Sequence, residues 1–215
     1  NSSNSFGGAI YFSGNTGHFE DLTFTNNSID SSYNSFGGAI YVNCRKSSFT
    51  NINFINNIAY SLLKKSNGGA IYIQNVVGYV HNCSFINNTA ETFLDIYLIS
   101  GDEPRSLGGS VYLNTSTINF TNCFFINNTG FGNSPKHVST GKGGAIYANY
   151  SKVIIFSCEF SNNILYNLGN KFDIDCYIEG GACYFYNSST LILNSIFINN
   201  TATLRASEQS IYFST

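Results

Sequence analysis

The chain has 215 residues, a formal net charge of −2 and 10% charged residues, whereas ordinary globular domains have about 25%. So weak a net charge excludes long-range attraction to nucleic acid or to an anionic membrane surface. No apolar run approaches the ~20 residues that cross a bilayer, so we expect no nucleic-acid partner and no direct membrane insertion by this segment.

A cassette that begins with two glycines recurs along the chain. Its second copy runs from Gly37-Gly38-Ala39-Ile40-Tyr41 to Phe54-Ile55-Asn56-Asn57. In six copies a phenylalanine follows the first glycine at the same distance along the chain, and the asparagine pair follows that phenylalanine at a constant distance as well. The pairs of first glycine and phenylalanine are Gly7 and Phe24, Gly37 and Phe54, Gly68 and Phe85, Gly108 and Phe125, Gly143 and Phe160, and Gly180 and Phe197. Such regular self-similarity indicates one solenoid body.

Each cassette contains two strand-like runs. In the first run apolar residues flank a tyrosine, as Ile40 and Val42 flank Tyr41, and this alternation is typical of a half-buried strand. We therefore predict a structural ladder of tyrosines on the outside of the sheet, comprising Tyr11, Tyr41, Tyr72, Tyr112, Tyr147 and Tyr184. The second run breaks strict alternation between Phe49 and Ile52, which predicts a bend or bulge at Asn51 and at the equivalent position of each cassette. The asparagine pair suits a tight turn whose side chains hydrogen-bond from one repeat to the next.

These patterns predict an all-β fold, a single-stranded right-handed parallel β-helix of about six to seven rungs. Each rung would hold one GGAIY…FxNN cassette with two or three short strands. Residues 1–215 would form a single β-helix repeat domain. Because the chain begins and ends within a repeat, we expect it to be a fragment of a longer protein.

The cassettes resemble the GGAI and FxxN repeats of the polymorphic outer membrane proteins of chlamydiae, and similar repeats occur in surface proteins of several protists. The resemblance rests on GGAIY at residues 37–41 and on FINN at residues 54–57, 85–88 and 125–128. Two cassettes are degenerate, at Gly108-Gly109-Ser110-Val111 and Gly180-Gly181-Ala182-Cys183, and a partial last cassette has Gln209-Ser210 in place of both glycines. The resemblance implies a surface-exposed β-helical protein associated with adhesion to host cells, and it marks no catalytic residue.

Three cysteines occupy the same cassette position on consecutive repeats, namely Cys83, Cys123 and Cys158. We expect them to form a buried stack of reduced thiols, because parallel side chains keep their Cβ atoms too far apart for a disulfide. The other cysteines, Cys44, Cys176 and Cys183, follow no repeat position. Of these, Cys176 and Cys183 are the candidates for a disulfide.

N-glycosylation sequons are abundant, but several coincide with the turn asparagines. The candidate glycosylation sites are those between the two strand-like runs, Asn114, Asn149 and Asn187.

The connectors between cassettes vary in length, and the three longest are consecutive: 89–107, 129–142 and 164–179. Loops on a rigid scaffold are the usual place for binding residues. The charged candidates for partner binding in these connectors are Glu91, Asp95, Asp102, Glu103, Arg105, Lys136, Lys142, Lys171, Asp173 and Asp175. A partner would be a protein or glycan on a cell surface, or neighbouring chains of an assembly, and the tyrosine ladder is a second candidate surface.

The predicted function is that of a non-catalytic, extracellular or surface-exposed protein that acts in adhesion or as a structural rod. One alternative is a carbohydrate-active enzyme, a polysaccharide lyase or hydrolase with the pectin-lyase-like fold, which would need clustered carboxylates. The acidic residues of the cassettes do not cluster, and Asp173 and Asp175 are the nearest approach to a calcium pair. The other alternative is a component of a filament or surface appendage. We expect no cofactor and no metal.

Overall fold

The computed structural model describes residues 3–93, 105–133, 139–169 and 177–206. Within these ranges every regular element is a β-strand. The chain winds through six turns of a parallel β-helix, and each turn is called a rung here. No helix suited to spanning a membrane occurs among these residues.

In the first two rungs the longest strand is continuous, and in the other four rungs it is divided in two. The first contains β1 (Asn4–Phe6), β2 (Ile10–Glu20), β3 (Thr23–Thr25) and β4 (Ser28–Ser31); the second contains β5 (Asn34–Phe36), β6 (Ile40–Thr50), β7 (Asn53–Ile55) and β8 (Ile58–Ser61). The third contains β9 (Lys65–Asn67), β10 (Ile71–Gln74), β11 (Val77–His81), β12 (Ser84–Ile86) and β13 (Thr89–Phe93). The fourth contains β14 (Arg105–Leu107), β15 (Val111–Asn114), β16 (Thr117–Thr121), β17 (Phe124–Ile126) and β18 (Thr129–Asn133). The fifth contains β19 (Thr140–Lys142), β20 (Ile146–Asn149), β21 (Lys152–Phe156), β22 (Glu159–Ser161) and β23 (Ile164–Gly169); the sixth contains β24 (Tyr177–Glu179), β25 (Cys183–Tyr186), β26 (Ser189–Leu193), β27 (Ile196–Ile198) and β28 (Thr201–Ala206).

Equivalent strands of successive rungs pair in parallel and form four sheets. Sheet A contains β1, β5, β9, β14, β19 and β24, and sheet B contains the strands that follow the glycine pair. Sheet C contains the strands around the cassette phenylalanine, and sheet D those after the asparagine pair. The cassettes are in register, so that Tyr72 pairs with Tyr41 and Phe85 with Phe54. Identical side chains therefore stack at the ~4.8 Å strand spacing.

The corners of each rung depend on residues with a left-handed backbone. At the corner between sheets A and B the first glycine takes this conformation, with φ of 72° at Gly37. At Gly38 there is no room for a side chain, because a Cβ atom would lie 1.9 Å from the carbonyl oxygen of Gly69 on the next rung. The bend predicted at Asn51 and its equivalents is confirmed by positive φ at Asp21, Asn51, Asn82, Asn122, Ser157 and Asn194. The first asparagine of each pair also has positive φ, as at Asn56 (55°).

The interior is filled by stacked side chains. The cassette phenylalanines form a continuous stack, with ring centroids 4.5 to 5.2 Å apart from Phe24 to Phe197. The second asparagine of each pair forms a buried amide ladder; Asn88 donates from Nδ2 to Asn128 Oδ1 at 3.1 Å and to the Phe54 carbonyl at 2.9 Å. Asn57, Asn88, Asn128 and Asn163 are completely buried. This ladder satisfies polar groups that would otherwise be left unpaired at the corner.

The prediction of two or three strands per rung is wrong, because four or five strands are present. The connectors begin and end as strands of sheets D and A, so Glu91, Arg105 and Lys142 lie in β13, β14 and β19 and not in loops. The reason is that these backbones obtain hydrogen bonds from neighbouring rungs. The remaining predicted loop residues lie outside the described residues: Asp95, Asp102, Glu103, Lys136, Lys171, Asp173 and Asp175.

Candidate binding groove

A groove runs along the outside of the β-helix where sheet A meets the first part of sheet B. Its volume is about 730 Å³. One wall carries the first and third residues of the sheet A strands, such as Lys65 and Asn67 in β9. The other wall carries four of the tyrosines that follow a glycine pair, namely Tyr72, Tyr112, Tyr147 and Tyr184. The glycine corner bends the chain sharply enough for these two outward faces to approach each other, as the edge-to-face contact of Phe36 with Tyr72 shows, with centroids 5.1 Å apart.

The tyrosines of the wall stack along the groove. Consecutive rings from Tyr11 to Tyr184 have centroids 4.7 to 5.6 Å apart and are nearly parallel. The ladder lies outside sheet B, but it is not an exposed surface: Tyr41, Tyr72, Tyr112 and Tyr147 are only 6 to 8% exposed. Sheet A folds against them, and together with Leu107 they form a second hydrophobic cluster outside the core.

Because neighbouring rings cover each other's faces, the ladder presents ring edges and hydroxyl groups to the groove. The Tyr41 hydroxyl donates to Gln74 Oε1 at 3.0 Å. Burial, with a smaller effect of neighbouring tyrosines, raises the pKa of Tyr72 and of Tyr112. These hydroxyls therefore stay protonated at neutral pH and remain hydrogen-bond donors.

Positive charge gathers in the middle of the groove. Lys65 and Arg105 lie directly opposite each other on β9 and β14. The pKa of Lys65 is lowered by burial and then by the charges of Arg105 and Lys64. Like charges directly opposite across neighbouring strands repel each other, and this repulsion contributes to the lowered pKa of Lys65.

The next cation along the groove is paired. Lys142 Nζ lies 2.8 Å from Glu179 Oε2 and donates to the Tyr184 hydroxyl at 3.1 Å. Burial alone would lower the pKa of Lys142, but the contacts with Glu179 and Tyr184 outweigh it and raise that pKa. The hydrogen bond from Lys142 lowers the pKa of Glu179. Lys142 and Glu179 thus form an ion pair within the groove lining.

Two buried acceptor atoms in the groove wall receive no hydrogen bond within the described part of the chain. They are Asn34 Oδ1 and Asn67 Oδ1, and both side chains line the groove. Buried polar atoms normally have a partner. Both atoms are covered by the surrounding chain, so they are not part of the accessible surface of the groove.

Apart from Arg105 and Lys142, which were candidates for partner binding, the groove residues of sheet A were missed in the sequence. They lie in strands of three residues, too short for an alternating pattern to be read. A positional signal was nevertheless present, since the residue directly before each glycine pair always lies on the outer face of sheet A. Those residues are Phe6, Phe36, Asn67, Leu107, Lys142 and Glu179.

The cysteine positions form a row inside the β-helix. Cys83, Cys123 and Cys158 are buried and free, and the Cys123 thiol donates to the Thr121 carbonyl at 3.3 Å. Hydrogen bonding with Cys158 and Cys83, together with burial, raises the pKa of Cys123. Cys44 and Cys183 are also free, and Cys176 lies outside the described residues.

The candidate glycosylation sites differ in environment. Asn149 donates from Nδ2 to Asn114 Oδ1 at 2.9 Å, so these two amides bond to each other between rungs. Asn187 is exposed at a bend with φ of 45°. Of the three, Asn187 is the most accessible to a modifying enzyme, and glycosylation remains a prediction.

Among the described residues no three His, Cys, Asp or Glu side chains come together in an arrangement that could hold a metal ion. His18 Nδ1 lies 2.7 Å from the Ser48 hydroxyl, and His18 is exposed on the outside of the β-helix in the second half of β2.

The chain was compared with known proteins. The model of the Chlamydia polymorphic membrane protein repeat matches residues 21–43, 51–74 and 122–149. No curated protein and no solved structure is significantly similar to the chain. Repeats of this family indicate a surface-associated or outer-membrane repeat protein. The resemblance noted in the cassettes is thus confirmed, because the repeat model of this family matches the chain at three places.

Proposed function

We propose that the chain is a non-catalytic, extracellular adhesion module that binds a partner in the groove between sheets A and B. The observation that carries this proposal is the groove itself, a long concave surface lined by tyrosines and by charged side chains. Concave sites with a few convergent polar groups are typical of ligand binding.

The groove replaces the long connectors as the primary binding surface in this proposal. The parts of the connectors that the structure describes are strands, and three of their charged residues, Arg105, Lys142 and Glu179, line the groove. The connectors therefore contribute to binding through the strands of sheet A.

The proposal is tested with arrays of cell-surface glycans and proteins and with two variants. Tyr177 and Tyr186 line the groove and are 54% and 44% exposed, so the double change to alanine should leave the fold intact. Tyr79 is 49% exposed on the outer face of β11, outside the groove, and Tyr79→Ala is the matched control. We expect the double variant to bind its array partner about tenfold or more weakly and the control to bind like the wild type.

Two outcomes contradict the proposal. Equal binding by the groove variant and the wild type would remove the groove from the interaction. Release of shortened saccharides from a polysaccharide panel, with or without calcium, would instead indicate that the protein is a carbohydrate-active enzyme.

A further inference from the structure

We infer that the sixth-rung end of the groove binds a neutral sugar unit, whose apolar ring face packs on Tyr177 or Tyr186 and whose hydroxyl groups donate to the Glu179 carboxylate. The inference rests on the proposed function and names the chemistry of its ligand.

This subsite is formed by the outer faces of the two strands that flank the glycine corner of the sixth rung. Tyr177 and Glu179 are the first and third residues of β24, and Tyr184 and Tyr186 are the second and fourth residues of β25. All four side chains line the groove. Glu179 and Tyr184 lie nearer to the corner at Gly180 and form the floor of the subsite. Tyr177 and Tyr186 lie farther from it and form the two rims.

The first argument is the exposure of the rim tyrosines. Tyr177 is 54% exposed and Tyr186 is 44% exposed, whereas the ladder tyrosine Tyr112 is only 8% exposed. The register partners of the rim tyrosines on the fifth rung are Thr140 and Asn149, so no aromatic ring of the ladder stacks on them. Aromatic side chains offer a large apolar surface with a polar tip, and the apolar C–H face of a sugar ring packs well on such a surface.

The second argument is that both rims become aromatic on the same rung. On the first five rungs neither rim position holds an aromatic residue; the fourth rung has Arg105 and Asn114 there. On the sixth rung both positions hold tyrosine. Two aromatic residues on opposite walls of a groove, beside a few polar groups, are typical of a ligand site.

The third argument is the chemistry of the floor. Glu179 Oε2 lies 2.8 Å from Lys142 Nζ, so the two charges compensate each other. The hydrogen bond from Lys142 lowers the pKa of Glu179, and the ionised carboxylate acts only as a hydrogen-bond acceptor. The Glu179 side chain is 48% exposed, whereas that of Lys142 is 21% exposed. A ligand at the floor therefore meets mainly an acceptor, which favours hydroxyl donors.

These properties select a neutral sugar over two other kinds of ligand. An acidic saccharide would bring a second anionic group close to Glu179, and like charges in a partly buried site repel each other. A proline-rich peptide also packs on aromatic grooves, but proline has no N–H group to donate to the carboxylate. Tyr177 and Glu179 are about 6.6 Å apart along their strand, which allows one sugar ring to contact both side chains.

The test measures binding of the full chain by calorimetry to cellohexaose, mannohexaose and chitohexaose, which are neutral, to a hyaluronan octasaccharide and to a proline-rich peptide. We expect at least one neutral oligosaccharide to bind, and Tyr177→Ala to weaken that binding about tenfold. Tyr177→Phe should bind within about twofold of the wild type, because the ring face is retained. Tyr79→Ala, which removes an exposed tyrosine outside the groove, is the matched control and should bind like the wild type. Circular dichroism of each variant verifies that the fold is unchanged.

Glu179→Gln distinguishes a neutral ligand from an acidic one. Binding of a neutral sugar should weaken about fivefold, because an amide oxygen is a weaker acceptor than a carboxylate. Binding of an acidic ligand should instead become tighter, since the change removes a repelling charge and releases Lys142 from its ion pair.

Four outcomes overturn the inference. They are no binding of any neutral oligosaccharide, unchanged binding by Tyr177→Ala, unchanged or tighter binding of the neutral oligosaccharide by Glu179→Gln, and tighter binding of hyaluronan or of the peptide than of every neutral oligosaccharide. Failure of the inference is distinguishable from failure of the proposed function. Array binding to a protein that is lost in the double variant of Tyr177 and Tyr186 would refute only the sugar as the ligand.

Discussion

At the level of single residues, the two adjacent asparagines of each cassette have different roles. Asn87 is exposed and supplies a left-handed backbone with φ of 54°. Asn88 is fully buried, and its side-chain oxygen accepts from the backbone N–H of Asn57 at 3.0 Å. A repeated dipeptide thus combines a turn with a buried hydrogen-bond ladder.

We predict that Asn88→Ala lowers the free energy of unfolding by about 3 kcal/mol, because it leaves the Asn57 N–H and the Phe54 carbonyl without partners. Asn87→Gly is the matched control, and it should change stability by less than about 0.5 kcal/mol, since glycine tolerates the left-handed conformation. Denaturant unfolding of both variants measures the difference. Similar losses in the two variants would contradict the separate roles.

Glu91 is the residue from which we predict a pH effect. It is partly buried on the outer face of sheet D, between Tyr60 and Phe131 on the adjacent rungs, and burial raises its pKa. A raised pKa means that the folded state holds the proton more tightly than the unfolded state, so the contribution to stability is full at low pH and is lost as pH rises through the folded pKa.

The isosteric change Glu91→Gln should therefore make the protein more stable than the wild type at pH 7. The difference in stability between the variant and the wild type should disappear as the pH falls below the range in which carboxyl groups ordinarily titrate. Thermal unfolding of both proteins from pH 3 to 7 measures this difference. A difference that grew on acidification would contradict the predicted sign of the Glu91 contribution to stability.

At the level of strands and connectors, the segments between sheets D and A vary in length while the strands at both ends keep their register. In the second rung, three residues (62–64) join β8 to β9. The corresponding segment of the next rung, residues 93–104, joins Thr92 to Arg105, and these are the register partners of Ser61 and Lys65.

We predict that replacing residues 93–104 by a three-residue Gly-Asn-Gly link leaves the fold intact, because the second rung closes the same gap with three residues and long insertions have a small entropic effect. Excision of residues 91–106 should be much more damaging, since it removes Thr92 and Ser106, which are completely buried. Circular dichroism and thermal unfolding of both deletion variants measure this. Equal stability of the two deletion variants would show that the strand ends at residues 91–92 and 105–106 do not contribute to the stability of the fold.

In the molecule as a whole, stacking places the cysteine row inside a body in which each rung contacts only its neighbours. The Cys123 side chain is completely buried between the rungs that carry Cys83 and Cys158. A thiol reagent reaches it only when the rungs separate.

We predict that a variant retaining only Cys123 reacts with a thiol reagent at the rate of unfolding, and that denaturant accelerates the reaction in parallel with loss of structure. An Asn119→Cys variant with the native cysteines removed is the control, because Asn119 is exposed on β16, and it should react at once. Rapid labelling of Cys123 in the native protein would show that the rungs open locally.

The solenoid could be predicted from periodicity alone. Fixed offsets between Gly37, Phe54 and Asn57, repeated along the chain, are enough to place equal residues on successive rungs, and alternation around Tyr41 assigns the inward face. Those signals are local and periodic, so the stacked phenylalanines, the asparagine ladder and the bend at Asn51 could all be predicted.

The position of the groove, in contrast, emerges only when the rungs are folded. The burial of Tyr72 and Tyr112 depends on the angle at which sheet A leaves the glycine corner, and periodicity contains no information about that angle. Lys65 and Arg105 each lie three residues before the first glycine of a cassette, so their opposition follows from the cassette register once these residues are known to form a strand. Strands of three residues give no pattern from which that strand could be predicted. Local patterns specify which way a side chain points from its own strand; which other strand it meets is decided by how the rung closes.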